Sequence, residues 1–417
     1  MAARRRSHRL VLTARGRVFA ASVVVLVVLA YAAGNPVFQL AAALGAALLA
    51  AGLIAVRLRR PRLAVARTLV PPLAAAGAPV RVTIAARNRS PRGSGAALWR
   101  DRLSFPPGAT ADAPLAPLAS GGVRAGARTD ATTLGYTTRP PRRGVVEIGP
   151  LEVELEDPFG LVRHTVVAGA AQSVVVTPQL VDLVDAGLGE SSSEGEARLV
   201  QRAVLAGGDD LMTREYRRGD AMRRVHWRVS ARQGELMVRQ EEQRSKPEVR
   251  LAVDTRRDGY ADAAPGTLAA GEAESETFEW VVRMVASIGV HLRQTGYAVS
   301  VLESADRQIE PLGAAGAADE PFLTSLATIR LGEARRPDRA PEAGGAVFAV
   351  VADPAPETLD WLLALRRPRE RAVVFLPERS TTARDALLGA GFTVVLFRPD
   401  DDLAAVWAAV ALAGDAA

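Results

Sequence analysis

Seven arginines between Arg214 and Arg232 share a short stretch of the chain with acids, aromatic side chains and a histidine. An enzyme would use His226 here as a general base, with Asp220, Glu215 or Asp209 orienting its ring. The stretch contains no serine elbow, no cysteine and no second histidine, so the pattern for catalysis is weak. We expect no enzymatic activity, and an enzyme that uses Asp220 and His226 remains the alternative hypothesis.

A nucleic-acid site is a second chemical use of these arginines. They would contact phosphates while Tyr216 and Trp227 stacked on bases. Acids interleave with the arginines, however, so the local charge largely cancels. The net charge of +6 is also concentrated near the start of the chain. We therefore expect no nucleic-acid partner.

A structural joint explains the stretch better than either chemistry. The acids would pair with the arginines, because a planar guanidinium suits bidentate pairing with a carboxylate. The predicted members are Glu215, Asp209 and Asp220 with Arg223, Arg224 and Arg232. We expect Tyr216 and Trp227 to pack beneath these pairs and Gly219 to form a turn. Such a joint could hold two domains together and offer a docking surface to a protein partner.

Composition excludes several kinds of site. The single lysine, Lys246, does not follow a glycine-rich loop, so the chain has no ATP-binding P-loop. No cysteine is present, which excludes disulfides and thiolate metal sites. The four histidines are far apart in sequence, and no pair has the spacing of a zinc site. We expect no cofactor and no metal.

Two uncharged apolar segments near the start predict a membrane hairpin. Val18–Gly34 and Val37–Val56 are each long enough to cross about 30 Å of hydrocarbon as a helix. By the positive-inside rule the arginine-rich outer ends face the cytoplasm. The prediction is a two-pass protein of the plasma (inner) membrane, with a basic N-terminus (1–17), two helices (18–56) and a cytoplasmic remainder. The flanking arginines are Arg4, Arg5, Arg6, Arg9, Arg15 and Arg17, then Arg57, Arg59, Arg60, Arg62 and Arg67.

Short alternating apolar runs separated by proline and glycine fill residues 62–185. This spacing is typical of antiparallel strands in an all-β, immunoglobulin-like sandwich. One strand should place Val80, Val82 and Ile84 on a single buried face. We interpret the turn "EDPFGL" as a corner between strands, with Phe159 packing inward.

The rest of the chain divides into a polar linker with a short helix (186–210), the arginine-rich block (211–248) and an α/β domain (249–417). Apolar strands alternate with helices in the α/β domain, which predicts a doubly wound, mostly parallel sheet. Sites in such sheets lie at the carboxyl ends of strands. Two loops occupy those positions, "DTRRD" after the first strand and "ADPAPE" after the third.

The arginine-rich block resembles the signature of the family called domain of unknown function 58. Twin N-terminal membrane segments and the run "RRGVVEIGPLEVELEDPFGL" are also similar to that family. The resemblance implies a C-terminal domain like von Willebrand factor A. It also implies partnership with MoxR-type AAA+ ATPases and transglutaminase-like membrane proteins. The matching residues are Arg214, Glu215, Tyr216, Gly219, Asp220, Arg223 or Arg224, His226, Trp227, Ser230, Ala231 and Arg232.

The loop after the first α/β strand departs from the pattern of metal-binding A domains. Those domains carry D-x-S-x-S, whereas this loop reads Asp254, Thr255, Arg256, Arg257 and Asp258. An arginine next to the carboxylates repels a cation, and magnesium requires a compact set of oxygen ligands. We therefore predict a degenerate loop without a conventional metal site.

Together with the family resemblance, these observations predict a membrane-anchored scaffold that contacts lipid and works with a MoxR-type AAA+ ATPase in the assembly or maturation of protein complexes. The block around Arg214–Trp227 and the "DTRRD" loop are the expected contact surfaces. One alternative is an enzyme that acts on cell-envelope precursors through Asp220 and His226. A third possibility is a purely structural membrane protein without regulated partners.

Overall fold

The computed structural model describes residues 9–121, 129–185, 213–216, 222, 225, 227–239, 248–263, 275–312, 318–333, 344–368 and 370–414. Contacts divide the chain into two compact units. The first contains Met1–Gln179 with two short later segments, and the second contains most of the chain from Leu180 onward. The predicted linker and short helix at 186–210 lie outside the described residues.

The first unit begins with a strand and two long apolar helices, β1 (Arg9–Leu12), α1 (Ala14–Ala33) and α2 (Pro36–Leu58). Thr13 caps α1 by accepting a hydrogen bond from Gly16 N at 3.0 Å. Both helices are long and apolar enough to cross a membrane, judged by length and composition. The predicted basic N-terminus (1–17) therefore also contains a strand and the first turn of a helix.

Two sheets follow the helices. Their strands, besides β1, are β2 (Leu63–Val70), β3 (Ala74–Ala75), β4 (Val80–Asn88), β5 (Ala97–Leu103), β6 (Ala113–Leu115), β7 (Ala131–Thr138), β8 (Gly144–Glu156), β9 (Val162–Ala168) and β10 (Gln172–Thr177). One sheet is antiparallel, with the order β2-β4-β7, and the other has seven strands centred on β8. β1 joins the larger sheet by pairing antiparallel with β9.

The two sheets share one apolar core, so this unit is a β-sandwich. Val80, Val82 and Ile84 of β4 are buried in a cluster with residues of β5 and β8, as their alternation predicts. The ends of the two helices nearest the sandwich, called the helix bases below, belong to the same core. Val56 of α2 lies inside the cluster, while Phe19 of α1 packs against it together with Leu49 and Leu53 of α2.

Arg67 is not one of the membrane-flanking charges, so its predicted role is wrong. Its side chain is only 3% exposed and pairs with Asp101, which is fully buried on the other sheet. Gly149, with φ 96°, leaves room for the guanidinium, since an added Cβ would lie 2.7 Å from it. The arginine belongs to the interior of the sandwich.

The turn Asp157–Leu161 joins β8 to β9 and contacts the bases of both helices. Thr13 Oγ1 donates a 2.6 Å hydrogen bond to Gly160 O. A Cβ added to Gly16 of α1 would lie 1.9 Å from Leu161 O, so this helix approaches the turn backbone closely. The prediction that Phe159 packs inward is wrong, because its side chain is 53% exposed. The aspartate caps the turn instead, accepting hydrogen bonds from Phe159 N and Val162 N.

The second unit contains a five-stranded, all-parallel sheet. Its strands are β13 (Glu248–Val253), β14 (Ala298–Glu303), β15 (Ala346–Val350), β16 (Ala372–Pro377) and β17 (Thr393–Phe397). Their order in the sheet is β14-β13-β15-β16-β17. Each crossover carries a helix, as the sequence alternation predicts. The helices are α4 (Glu276–Gln294), α5 (Glu320–Thr328), α6 (Pro356–Leu365), α7 (Thr381–Gly389) and α8 (Leu403–Gly414), and most of α5 is grouped with the first unit.

The order of these strands reverses at β13. The first strand of the sheet lies between the second and the third, which is a common doubly wound arrangement. The loops after β13 and β15 therefore leave the carboxyl edge at the switch point, where α/β sheets usually place ligands. Both predicted loops, "DTRRD" and "ADPAPE", lie at this point.

Candidate functional site

The described part of the arginine-rich block forms a small hairpin with a helix. β11 (Thr213–Glu215) pairs antiparallel with β12 (Met237–Arg239), and α3 (Trp227–Gln233) lies between them in sequence. The Ser230 hydroxyl accepts a 2.8 Å hydrogen bond from Met237 N, which ties the helix to the strand. Arg214 and Glu215 belong to β11, so the start of the signature is strand backbone rather than loop.

Several predicted residues of the block lie outside the described residues, and the joint of paired charges they would build stays a prediction. These residues are Gly219, Asp220, Arg223, Arg224 and His226.

Trp227 does not pack beneath the block, so this prediction is wrong. Its side chain is 62% exposed at the first position of α3. Tyr216 is half-buried, and Arg232 is exposed in the last turn of the same helix. Exposed tryptophan and arginine side chains are the types that dominate the binding energy at protein interfaces. The block therefore presents an aromatic side chain outward at the surface of the second unit.

The "DTRRD" loop closes over the carboxyl ends of β13 and β14. Asp254 is completely buried. Its Oδ1 accepts hydrogen bonds from Ser304 Oγ at 2.5 Å and from Arg256 N at 3.2 Å. The Ser304 hydroxyl in turn accepts from Thr255 N at 2.9 Å, so one serine connects the two strand ends. Tyr260 donates its hydroxyl proton to Asp254 O at 2.5 Å.

The second carboxylate oxygen of Asp254 has no hydrogen-bond partner among the described residues. It faces the α-carbon of Gly259, where an added Cβ would lie 2.7 Å away. Burial raises the pKa of Asp254 to about 6, although the hydrogen bond from Ser304 and that from Arg256 N oppose this shift. The geometry suits a carboxyl group that readily takes a proton.

Arg256 forms the rim of the loop. Its guanidinium makes a bidentate contact with Asp258, with N–O distances of 2.6 and 3.1 Å. Glu357, which follows β15 at the start of α6, lies 3.6 Å from the same guanidinium. The hydrogen bond to Asp258 raises the pKa of the arginine. The arginine therefore brings together the two loops that the sequence singled out.

The arrangement of the described side chains gives no support for a divalent cation at this loop. Within the described ranges, no group of three or more histidine, aspartate or glutamate side chains is arranged to hold a metal ion. Asp258 is occupied by Arg256, and the buried oxygen of Asp254 faces the Gly259 backbone. The prediction that the loop binds no metal remains a prediction for experiment.

Sequence reasoning missed Ser304, which holds Asp254. The serine directly follows β14, so the rule that sites lie at carboxyl ends could have found it. Asp353 lies within the predicted "ADPAPE" loop, and its N–H donates to Gly259 O at 2.9 Å, which fixes the loop after β15.

The model of the family described as "Protein of unknown function DUF58" matches residues 212–374. This segment contains the arginine-rich block, the Asp254 loop and most of the parallel sheet. The resemblance seen in the sequence is therefore confirmed for residues 212–374. The search of curated proteins finds no match.

Solved structures show only distant likeness. A CARDB domain of PF1109 from Pyrococcus furiosus, in complex with di-metal ions, is 14% identical, covering 29% of this chain and 97% of that one at a TM-score of 0.20. Spo0M, a sporulation control protein from Bacillus subtilis, is 10% identical, covering 34% of this chain and 56% of its own at a TM-score of 0.15. Likeness at this level carries no argument about fold or function.

Proposed function

We propose that this protein is a non-enzymatic, membrane-anchored scaffold that docks a MoxR-type AAA+ ATPase through the DUF58 block. The observation that carries the proposal is the 62% exposure of Trp227 at the start of α3. Burying a tryptophan is among the larger single contributions to a protein interface. A fixed exposed tryptophan therefore suits a docking surface better than a catalytic centre.

In this proposal the parallel sheet is a degenerate von Willebrand factor A-like domain, and the sandwich is immunoglobulin-like. Asp254 holds the position that starts a metal-binding loop in such domains. Arg256 replaces the cation by pairing with Asp258 at 2.6 Å. The loop would then support a partner surface through protein contacts alone. A transglutaminase-like membrane protein would be a further member of the assembly.

The anchor consists of α1 and α2, which cross the plasma membrane as a hairpin with both outer ends in the cytoplasm. Their length and composition support this placement, as do the exposed arginines Arg17 and Arg57 near the outer ends. Because the chain has no cysteine, single cysteines can report its topology. In intact cells an impermeant maleimide should label Asn35→Cys and leave Leu388→Cys unlabelled.

Chemical crosslinking in native membranes tests the partnership. The experiment compares the wild type with Trp227→Ser and with Leu388→Ser, a control that is 47% exposed on α7 of the same unit. An AAA+ ATPase should be recovered with the wild type and with the control, and should be lost with Trp227→Ser. Recovery unchanged in Trp227→Ser would exclude docking through this tryptophan. No ATPase with the wild type would overturn the partnership.

The enzyme alternative predicts a different response. Neutral replacement His226→Gln would abolish a turnover that depends on Asp220 and His226 while leaving protein partners in place. A scaffold would instead lose its partners or its stability in this variant. The same crosslinking measurement on His226→Gln therefore separates the two hypotheses.

A further inference from the structure

We infer that the turn Asp157–Leu161 docks on the lipid surface, with Phe159 entering the boundary between headgroups and acyl chains and the helix-base arginines binding anionic headgroups. This inference rests on the proposed membrane crossing of α1 and α2. It adds a second attachment, made by the sandwich itself.

The first observation is that the turn is fixed to the helices. Gly16 of α1 lies against Leu161 O, and Gly52 of α2 lies against the Asp157 carboxylate, which an added Cβ would approach to 3.1 Å. Thr13 holds Gly160 and Leu161 by hydrogen bonds from its hydroxyl and its N–H. The position of the turn along the axes of the two helices is therefore fixed. It cannot move away from the membrane unless the helices move with it.

The second observation is a mismatch in length. Phe19 and Leu49 pack against the sandwich core, so the sandwich reaches up the helices to their level. Beyond that level α1 has only residues 20–33. At about 1.5 Å per residue this part is about 21 Å long. A hydrocarbon layer is about 30 Å thick, so this end of the sandwich must lie against or within the headgroup region.

The third observation is the exposed chemistry of this end. Phe159 is 53% exposed and Pro158 is also exposed, although both lie beside a well-packed core. An aromatic side chain that is excluded from the core and held at the level of the helix ends suits the interfacial layer. This placement explains why the sandwich leaves Phe159 outside.

Charge complementarity selects an anionic lipid surface. Arg15, Arg17, Arg57 and Arg59 are exposed near the helix bases, and none has a carboxylate partner among the described residues. The Arg15 guanidinium reaches to 4.0 Å from the position of a Cβ on Gly160, so it lies over the turn. The nearby acids Glu154 and Glu156 are paired with Arg163 at 2.9 and 2.6 Å. The four exposed arginines outnumber the one glutamate charge that Arg163 leaves uncompensated and the buried Asp157, so this end of the sandwich is positive, as anionic phospholipid requires.

Spin-label depth measurements on the full chain test the inference. Nitroxide labels are placed at Phe159→Cys, at Leu40→Cys on the exposed face of α2, and at Thr133→Cys on the exposed face of β7. The chain is reconstituted in nanodiscs of phosphatidylcholine, with or without phosphatidylglycerol. Collision rates with oxygen and with a water-soluble nickel chelate report the depth of each label.

The label at position 40 should be deep, the label at 133 aqueous, and the label at 159 at the acyl–headgroup boundary. Phosphatidylglycerol should move the label at 159 deeper, and Arg17→Gln with Arg57→Gln should cancel that movement. Arg81→Gln, which removes an exposed arginine from β4, should leave that movement unchanged. A label at 159 that matches the aqueous control while position 40 remains deep would overturn the inference alone. An aqueous label at position 40 would overturn the membrane crossing itself and the inference with it.

Discussion

Arg67 of β2 and Asp101 of β5 form a bidentate ion pair between the two sheets of the sandwich, with N–O distances of 2.6 and 3.0 Å. The arginine also donates to Ala170 O at 2.7 Å, and Tyr136 donates its hydroxyl proton to the aspartate at 2.9 Å. Burial and then the Asp101 charge raise the pKa of Tyr136, so the tyrosine remains a donor. Every charge in this group has a partner, as a buried ion pair requires.

Removing one partner of this pair should destabilise the sandwich strongly. Arg67→Met leaves the Asp101 carboxylate buried without its cation, which typically costs about 3–5 kcal/mol. Arg81→Met, which changes an exposed arginine on the neighbouring strand, should change the free energy of unfolding by no more than about 0.5 kcal/mol. Urea unfolding of the solubilised chain measures both. Equal losses of unfolding free energy in the two variants would show that the ion pair does not contribute to stability.

The double change Arg67→Met with Asp101→Leu should recover most of the lost stability, because apolar pairs often replace buried ion pairs without loss. A double variant as unstable as Arg67→Met would mean that shape, rather than charge, holds this position.

The buried carboxyl of Asp254 should make the second unit less stable as the pH rises. Its folded-state pKa of about 6 lies above the unfolded value, so folding favours the protonated form. The contribution is complete below about pH 4 and is lost as pH rises toward 6 and beyond. The difference between the folded and unfolded pKa values corresponds to about 3 kcal/mol of stability. Asp254→Asn should flatten this dependence when urea midpoints are compared between pH 4 and 8.

Asp262 provides an internal control of opposite sign. Burial alone would raise its pKa, but hydrogen bonds from Thr277 and Ser275 outweigh burial and lower it. Its contribution is present above the unfolded pKa and is lost as the pH falls through the folded pKa. Asp262→Asn should therefore change stability at neutral pH and not in strong acid.

For the Asp254 prediction, an Asp254→Asn variant whose stability depends on pH as steeply as that of the wild type would contradict the role of the buried carboxyl.

Gly16 should be irreplaceable at the base of α1. A Cβ there would lie 1.9 Å from Leu161 O, a backbone atom, so either the helix or the turn must shift. Such overpacking typically costs about 1–3 kcal/mol. Gly16→Ala should therefore speed hydrogen exchange of the Thr13 amide, which donates to Leu161 O, by about tenfold or more.

Gly95→Ala is the matched change, because nothing lies within 4 Å of its added Cβ. Exchange at Thr13 should be unaffected in that variant. If Gly16→Ala leaves this exchange rate at its wild-type value, the contact between helix and turn is looser than the structure indicates.

The sequence by itself determined the repeating parts of this protein. The apolar helices, the alternating face of β4 and the succession of parallel strands and helices follow from local patterns of apolar residues. The signature that the family model matches could also be recognised from the sequence, because it lies within one continuous stretch. The positions of "DTRRD" and "ADPAPE" followed because carboxyl ends of parallel strands meet at one edge.

Only the tertiary structure decided which individual side chains are buried and which partners they have. Arg67 follows the second apolar segment in sequence, as a membrane-flanking arginine would. Its partner Asp101, however, is 34 residues away on another sheet. Ser304 reaches Asp254 across 50 residues, while Phe159 and Trp227 are exposed although their type favours burial. Whether an individual charged or aromatic side chain is buried, and which partner it has, depends on contacts between segments distant in sequence, which local patterns do not specify.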